Sequence, residues 1–246
     1  ESDEVDILVD LAGHTGDNRL TAMAYKPAPI QVTYCGYPNT TGLTAIDYRL
    51  TERSAEDERA QQFYSEELYY LPEGFLCYRP AEFAPTVSEL PAKKNGSITF
   101  GSFNNHCKIN PMTIEVWSRI LEAIPNSRLI LKFKTGGDAA VKDFYLSSFE
   151  KQRISKDRVH IYGWGTPQQH LDLYNQVDIG LDTYPYNGTT TTCEALWMGV
   201  PVISLFGRAH ASRVGLSLLG RVGLEFFAAN NADDYVQKAI ALAKGV

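Results

Sequence analysis

Val177-Asp-Ile-Gly-Leu-Asp182 is an apolar run ending in an acid, and after a short gap comes Asn187-Gly-Thr-Thr-Thr-Thr-Cys-Glu194-Ala-Leu-Trp-Met-Gly-Val-Pro201. The first segment reads as a short buried strand. The second reads as a glycine-containing loop feeding a helix that opens on four hydroxyls. Pro201 then begins a further apolar run, Pro201-Val-Ile-Ser-Leu-Phe206. Backbone N–H groups at the start of such a helix have no intrahelical partner and carry partial positive charge, so they suit an anion such as a diphosphate. Glu194 stands three residues beyond Thr191, the spacing of a capping box, and that is the plain structural account of the same residues. Four consecutive threonines are more than a cap requires.

Outward from this stretch the pattern repeats. Ser97-Ile-Thr-Phe-Gly-Ser-Phe103, Arg128-Leu-Ile-Leu-Lys-Phe133, Arg158-Val-His-Ile-Tyr162, Asp178–Asp182 and Pro201–Phe206 read as strands. Helical periodicity lies between and after them, near 111–124, 139–152, 167–176, 190–199 and 209–221, with a last helix from Asp233 to Gly245. Short apolar strands alternating with helices predict a parallel sheet covered on both faces. Residues 97–246 are therefore expected to form a Rossmann-like lobe with its ligand at the C-terminal ends of the strands. Residues 1–71 are less regular, with strands expected at 6–11, 30–35 and 47–51 and helices near 19–25 and 56–63. They read as the C-terminal part of another lobe. Pro72, Pro80, Pro85 and Pro91 punctuate 72–96, which reads as a linker. Both ends look cut, so the chain is expected to be a piece of something longer.

Composition narrows the function. The 246 residues are 44% hydrophobic, with Tyr 14, Phe 11 and Trp 3, enough to bury one large core or two smaller ones. A net charge of -6 argues against a nucleic-acid partner, whose binding surface is normally basic. No run reaches the ~20 apolar residues of a membrane span, and the acidic N-terminus lacks the regions of a signal peptide. Cys35, Cys77, Cys107 and Cys193 form no C-x-x-C pair, so reduced thiols in a cytoplasmic protein are the simpler account.

Neither G-x-G-x-x-G nor G-x-x-x-x-G-K-[ST] occurs, and no Asp is followed two residues later by another. A bound diphosphate would therefore be held by protein cations and dipoles, with no metal and no cofactor. Lys108, in Asn104-Asn-His-Cys-Lys108 between a strand and helix 111–124, is the best-placed cation; an isolated loop lysine can equally be only solvated. Glu194 could instead accept hydrogen bonds from both ribose hydroxyls. His170, in Pro167-Gln-Gln-His170, could meet a nucleobase or be a neutral surface histidine. His14, in Ala12-Gly-His-Thr-Gly16, follows the first strand and is expected to face the same crevice, as a plain loop histidine or as an acceptor contact or proton carrier. In Cys35-Gly-Tyr-Pro-Asn-Thr-Thr-Gly42, Gly36 permits close backbone approach to a ligand, although a plain turn would use the same residues.

Taken together these motifs resemble the catalytic region of the O-GlcNAc transferase and SPINDLY-like family of glycosyltransferases. The resemblance rests on Lys26-Pro-Ala-Pro-Ile-Gln-Val, Gly36-Tyr-Pro-Asn-Thr-Thr-Gly42, Phe103-Asn-Asn-His-Cys-Lys108-Ile, Pro125-Asn-Ser-Arg-Leu, Leu181-Asp-Thr183, Asn187-Gly-Thr-Thr-Thr-Thr-Cys-Glu194 and Ala211-Ser-Arg-Val214, in an order and spacing that cover nearly all of the chain. It implies a GT-B fold, here a complete C-terminal Rossmann-like lobe plus part of the N-terminal one. It also implies inverting transfer from a nucleotide sugar to Ser or Thr hydroxyls of proteins, and tetratricopeptide repeats upstream.

By the same resemblance Lys108 neutralises the leaving diphosphate, Asn105 lies beside it, and His170 contacts the nucleotide. Thr189, Thr190 and Thr191 bind phosphate, Glu194 binds ribose, and Cys35-Gly36-Tyr37-Pro38 meets the donor sugar. Thr189 and Glu194 replace the histidine and aspartate of the animal enzymes, and Leu173 replaces an arginine that packs on the base. The run of four threonines and the Gly13-His-Thr15 segment look more like the SPINDLY branch, some members of which use GDP-fucose. The expected donor is UDP-GlcNAc, with GDP-fucose and an inactive nucleotide-binding fragment as the alternatives. The family's proposed catalytic histidine is expected before residue 1. His14, where the animal enzymes carry tyrosine, is kept as a second catalytic candidate beside Lys108, without being equated with that base.

Overall fold

The computed structural model describes residues 4–246; Glu1, Ser2 and Asp3, with which the expected first lobe and its acidic start begin, lie outside the described residues. Two compact units are present. One is the chain up to Cys77 together with Arg208–Arg213, and the other is Tyr78–Gly207 together with Val214–Val246.

The first unit is a parallel sheet in the order β1-β2-β3-β4, formed by β1 (Ile7–Asp10), β2 (Ile30–Thr33), β3 (Tyr48–Thr51) and β4 (Glu67–Tyr70), with the one-turn helix α1 (Leu20–Met23) after β1. Leu20, Met23 and Ile46 make its small apolar core. The helix expected near 56–63 is a single 3-10 turn, Ala60–Phe63. β4 has no counterpart in the sequence reading. Its register is helped by Gln61, whose Oε1 accepts from the Leu68 N–H at 2.9 Å, a tertiary contact that short-range pattern does not carry.

The second unit opens with α2 (Pro91–Asn95), a single turn bracketed by Pro91 at its start and left-handed Gly96 at its end. Next come β5 (Thr99–Ser102), α3 (Pro111–Ala123), β6 (Arg128–Lys132), α4 (Ala139–Lys151) and β7 (Val159–Tyr162). Then follow α5 (Pro167–Asp172), β8 (Ile179–Leu181), α6 (Thr190–Trp197), β9 (Val202–Leu205), α7 (Val214–Arg221), β10 (Ala228–Ala229) and α8 (Ala232–Lys244). All strands are parallel, in the order β10-β9-β8-β5-β6-β7. The chain winds outward from β5 through β6 to β7, returns to the middle at β8, and winds out the other way. This is the doubly wound Rossmann order, and its switch point lies between β5 and β8.

Burial follows from position. β5, β8 and β9 are buried at every residue, whereas edge strand β7 alternates buried and exposed. Trp117, Leu121, Phe149 and Tyr235 from α3, α4 and α8 cover one face of the sheet, against Phe100, Leu129, Ile179 and Ile203. Leu171, Ala195 and Met198 from α5 and α6 cover the other, against Ile130 and Val202. Gly101 in β5 is required by packing, since a Cβ there would lie 2.7 Å from Val177 Cγ2.

The expected strands and helices of this unit are found with shifted ends. Helix 167–176 finishes as a 3-10 turn, Leu173–Gln176, and 209–221 divides into a 3-10 turn, His210–Ser212, and α7. The division has a cause: the residues before Val214 pack into the first unit. There His210 Nδ1 lies 2.7 Å from Glu56 Oε1, and both side chains are buried. No described helix is long and apolar enough to cross a membrane.

Candidate functional site

At the switch point two loops emerge side by side, one after β5 and one after β8. The second is organised by Asp182, which is 2% exposed. Its Oδ1 accepts from the N–H groups of Thr183 at 2.9 Å and Gly188 at 2.7 Å and from Asn104 Nδ2 at 3.2 Å, while Oδ2 accepts from Ser204 Oγ at 2.7 Å. Its carbonyl accepts from Tyr235 Oη, which also takes the Trp117 indole N–H, so the loop is tied into the core. Burial pushes the Asp182 carboxyl up to about 6, against the opposing pull of these donors and of Lys108. Asn187 adds a second tie, donating to the carbonyls of Thr183 and Leu205 and accepting from the Gly215 N–H.

Lys108 reaches this loop. Its Nζ donates to the Asn187 carbonyl at 2.8 Å and lies 3.7 Å from the centre of the Tyr186 ring. Burial lowers its pKa while the charge of Asp182 works the other way. A preformed loop thus fixes a partly buried ammonium beside the start of α6.

That helix start is open. Thr189 is the N-cap and makes no capping bond through its side chain. Thr191 Oγ1 donates to Asn104 Oδ1 at 3.0 Å and Thr192 Oγ1 to the Gly188 carbonyl at 3.1 Å, while Thr190 is exposed. The capping-box reading of Thr191 and Glu194 does not hold, because the helix begins two residues earlier than that box requires and Glu194 is turned elsewhere. Its Oε2 lies 2.9 Å from His170 Nε2. The capping box of this region is instead Thr166 with Gln169, which starts α5 and so places His170. The imidazole is further held against Phe103 and Tyr174, with ring centres 5.6 and 5.7 Å away.

His170 and Glu194 line a cavity of about 530 Å³ together with Asn105, Thr190, Phe103, Lys132 and Trp164. Asn105 also caps the turn that carries Lys108, accepting from the Cys107 N–H at 3.1 Å. The fold thus brings Asn105, His170, Thr190 and Glu194 onto one cavity, with Lys108, Thr189 and Thr191 at the adjoining switch point. Lys132, Trp164 and Asp182 are additions. The legible signal for each was position, as a polar or aromatic residue closing or following an apolar strand.

His14 and Gly36-Tyr37-Pro38 belong to the first unit. Asp10 holds the loop after β1, accepting from the Ala12 and Gly13 N–H groups and from Thr33 Oγ1. His14 Nε2 donates to the Thr41 carbonyl at 2.8 Å, so in the neutral ring the lone pair is on Nδ1, and the ring stands edge-on to Tyr37 at 5.1 Å. Arg49 Nη1 donates to the carbonyls of Tyr37 and Asn39, both at 2.9 Å. Gly36 has a reason internal to the fold: a Cβ there would lie 1.8 Å from the Leu11 carbonyl oxygen. No group of three or more His, Cys, Asp or Glu suited to a metal ion occurs among the described residues, and the four cysteines are free thiols.

Comparison with known proteins agrees with this fold. The sequence model of Glycosyl transferase family 41 matches residues 1–89 and 86–246. A tomato (Solanum lycopersicum) protein named "Probable UDP-N-acetylglucosamine--peptide N-acetylglucosaminyltransferase SPINDLY" is 50% identical over 99% of this chain and 26% of its own length. The Arabidopsis thaliana protein of the same name is 48% identical over 99% of the chain and 27% of its own length. A mutant form of Thermobaculum terrenum O-GlcNAc transferase superposes with a TM-score of 0.94 at 34% identity, over 99% of this chain and 46% of that one. The chain thus spans about a quarter of the length of these curated relatives and has the α/β architecture, two parallel sheets of GT-B type, of the solved transferase. It belongs to glycosyl transferase family 41.

Proposed function

We propose that the protein transfers N-acetylglucosamine from UDP-GlcNAc to Ser and Thr hydroxyls of polypeptides, with inversion and without a metal ion, and that this chain holds the donor. The observation that carries the reading is Lys108 fixed at 2.8 Å on the Asn187 carbonyl beside the uncapped start of α6. A diphosphate there would meet an ammonium, unpaired N–H groups and the hydroxyls of Thr189, Thr190 and Thr191, which stabilise the charge that develops as it leaves. Glu194, paired with His170, is the proposed ribose acceptor, and Asn105 and His170 the proposed nucleotide contacts. Gly36, Tyr37 and Pro38 are the proposed donor-sugar residues. His14, with its lone pair on Nδ1, is a candidate proton carrier. A cytoplasmic protein with tetratricopeptide repeats upstream completes the reading; free thiols at all four cysteines are consistent with that compartment.

GDP-fucose as donor is the second reading. It is favoured by Leu173, which stands where the animal enzymes carry a base-packing arginine and is buried in the core at 7% exposure. Incubating the full-length protein with a Ser/Thr-rich peptide and each sugar nucleotide, with and without EDTA, tests both. Peptide glycosylation from UDP-GlcNAc that survives EDTA, with a β-linked product by NMR, is the expected result. Transfer only from GDP-fucose would replace the donor, and nucleotide binding without transfer would leave a binding module.

A further inference from the structure

Lys132 is the last residue of β6. It is half-buried and lines the cavity that also holds His170 and Glu194. The other charged groups around that cavity have local company: Arg79 is paired with Glu82 at 3.4 Å, Lys134 lies 5.8 Å over the Trp164 ring, and His170 and Glu194 hold each other at 2.9 Å. The Lys132 ammonium has neither a hydrogen bond nor an ion pair among the described residues; the charge of Glu194 attracts it only from longer range. An ammonium drawn out of water without an acceptor is unfavourable unless something supplies one. Burial accordingly lowers its pKa.

The position says which part of a nucleotide could do so. Lys108 and the start of α6 stand at the β5–β8 switch point, and β6 lies beyond β5 on the side away from β8, followed by β7. Each step across the sheet is ~4.8 Å. A nucleotide anchored by its diphosphate at the switch point, with its ribose at Glu194, carries its base over the ends of β6 and β7. There Trp164, 77% exposed, offers an aromatic face for stacking and Lys132 offers hydrogen bonds at the base edge.

An ammonium has three donors and no acceptor. We infer that Lys132 reads the nucleobase and selects bases whose edge presents a carbonyl oxygen, uracil or guanine, over cytosine and adenine, whose edge presents an amine. The inference rests on the nucleotide-sugar reading above and deepens it. A lysine donates to uracil O4, or to guanine O6 and N7 together, whereas the cytosine amine at the matching position is itself a donor and leaves the ammonium unpaired.

The test is calorimetric titration of wild type, Lys132→Met and Lys132→Arg with UDP, GDP, CDP, ADP and inorganic pyrophosphate. In wild type, UDP or GDP is expected to bind at least tenfold more tightly than CDP and ADP. Lys132→Met should weaken that preferred nucleotide by about 10- to 100-fold, bring the four nucleotides together, and leave pyrophosphate unchanged. Lys132→Arg should restore much of the preference. The inference is overturned if Lys132→Met keeps the wild-type ranking, or if pyrophosphate weakens by the same factor as the nucleotide, which would make Lys132 a phosphate ligand. Wild type that binds none of the four would remove the nucleotide reading itself, and this inference with it.

Discussion

Asparagine at position 182 should abolish a pH dependence that the buried carboxylate imposes on the second unit. Asp182 is 2% exposed, and its pKa in the folded chain is about 6, against 3.8 for an ordinary aspartate. The folded state therefore binds this proton more readily than the unfolded state does. The stability it confers is fully present below about pH 3.8 and is lost as the pH rises through 6. Over the whole range that gap amounts to about 3 kcal/mol, at about 1.36 kcal/mol per pH unit. Between pH 8 and pH 5, where other carboxylates stay mostly ionised, linkage gives about 1.4 kcal/mol. All three tryptophans, Trp117, Trp164 and Trp197, lie in the second unit, so guanidinium unfolding followed by their fluorescence reports on that unit. Wild type should gain about 1.4 kcal/mol relative to Asp182→Asn on going from pH 8 to pH 5. Asparagine can still accept through Oδ1 and can donate to Ser204, so the loop should persist. A wild-type-minus-variant difference that stays flat over this range would refute the buried-carboxylate account.

Three further outcomes rest on the same geometry. Lys108→Met should lower peptide glycosylation by roughly 100- to 1000-fold with an unchanged circular dichroism spectrum; normal turnover would remove Lys108 from the chemistry. Glu194→Gln keeps the side chain's shape but weakens acceptance from ribose hydroxyls and from His170, so UDP affinity by calorimetry should fall about tenfold, with pyrophosphate affinity unchanged. Gly36→Ala forces a Cβ against the Leu11 carbonyl oxygen, 1.8 Å from its ideal position. Because that neighbour is backbone, the variant should lose about 1–3 kcal/mol or fail to accumulate folded, and a melting temperature equal to wild type would contradict the packing.

The doubly wound unit was legible because its central strands, buried at every residue, read as short runs of apolar and small residues, as Thr99–Ser102 and Val202–Leu205 do. Lys108 was legible for a related reason, since ligands on such sheets gather at strand ends. The contact Glu194 makes with His170 was not. Thr191 and Glu194 have the spacing of a capping box, and only the fold brings His170, 24 residues earlier in the chain, to the same carboxylate. Asp182 was visible as the end of a strand, but its five partners come from four places in the chain. The helix expected across 209–221 is interrupted for the same kind of reason: His210 answers to Glu56, not to its helical neighbours.

The membership of Arg208–Arg213 in the first unit, although both flanks belong to the second, bears on how the protein can be dissected. The chain passes between units after Cys77, before Arg208 and again after Arg213, so no single cut yields two intact pieces. Expressing the chain only as far as Cys77 would strip Glu56 of the His210 imidazole and leave a buried carboxylate with Thr51 and Tyr64 as its remaining hydrogen-bond donors. Expressing only the part from Tyr78 onward would leave His210, otherwise 3% exposed, without the Phe75 ring and the Glu56 carboxylate that enclose it. A separable first unit has to be built by grafting the 208–213 segment back onto it, and insertions are better tolerated elsewhere than at Gly207 or Val214.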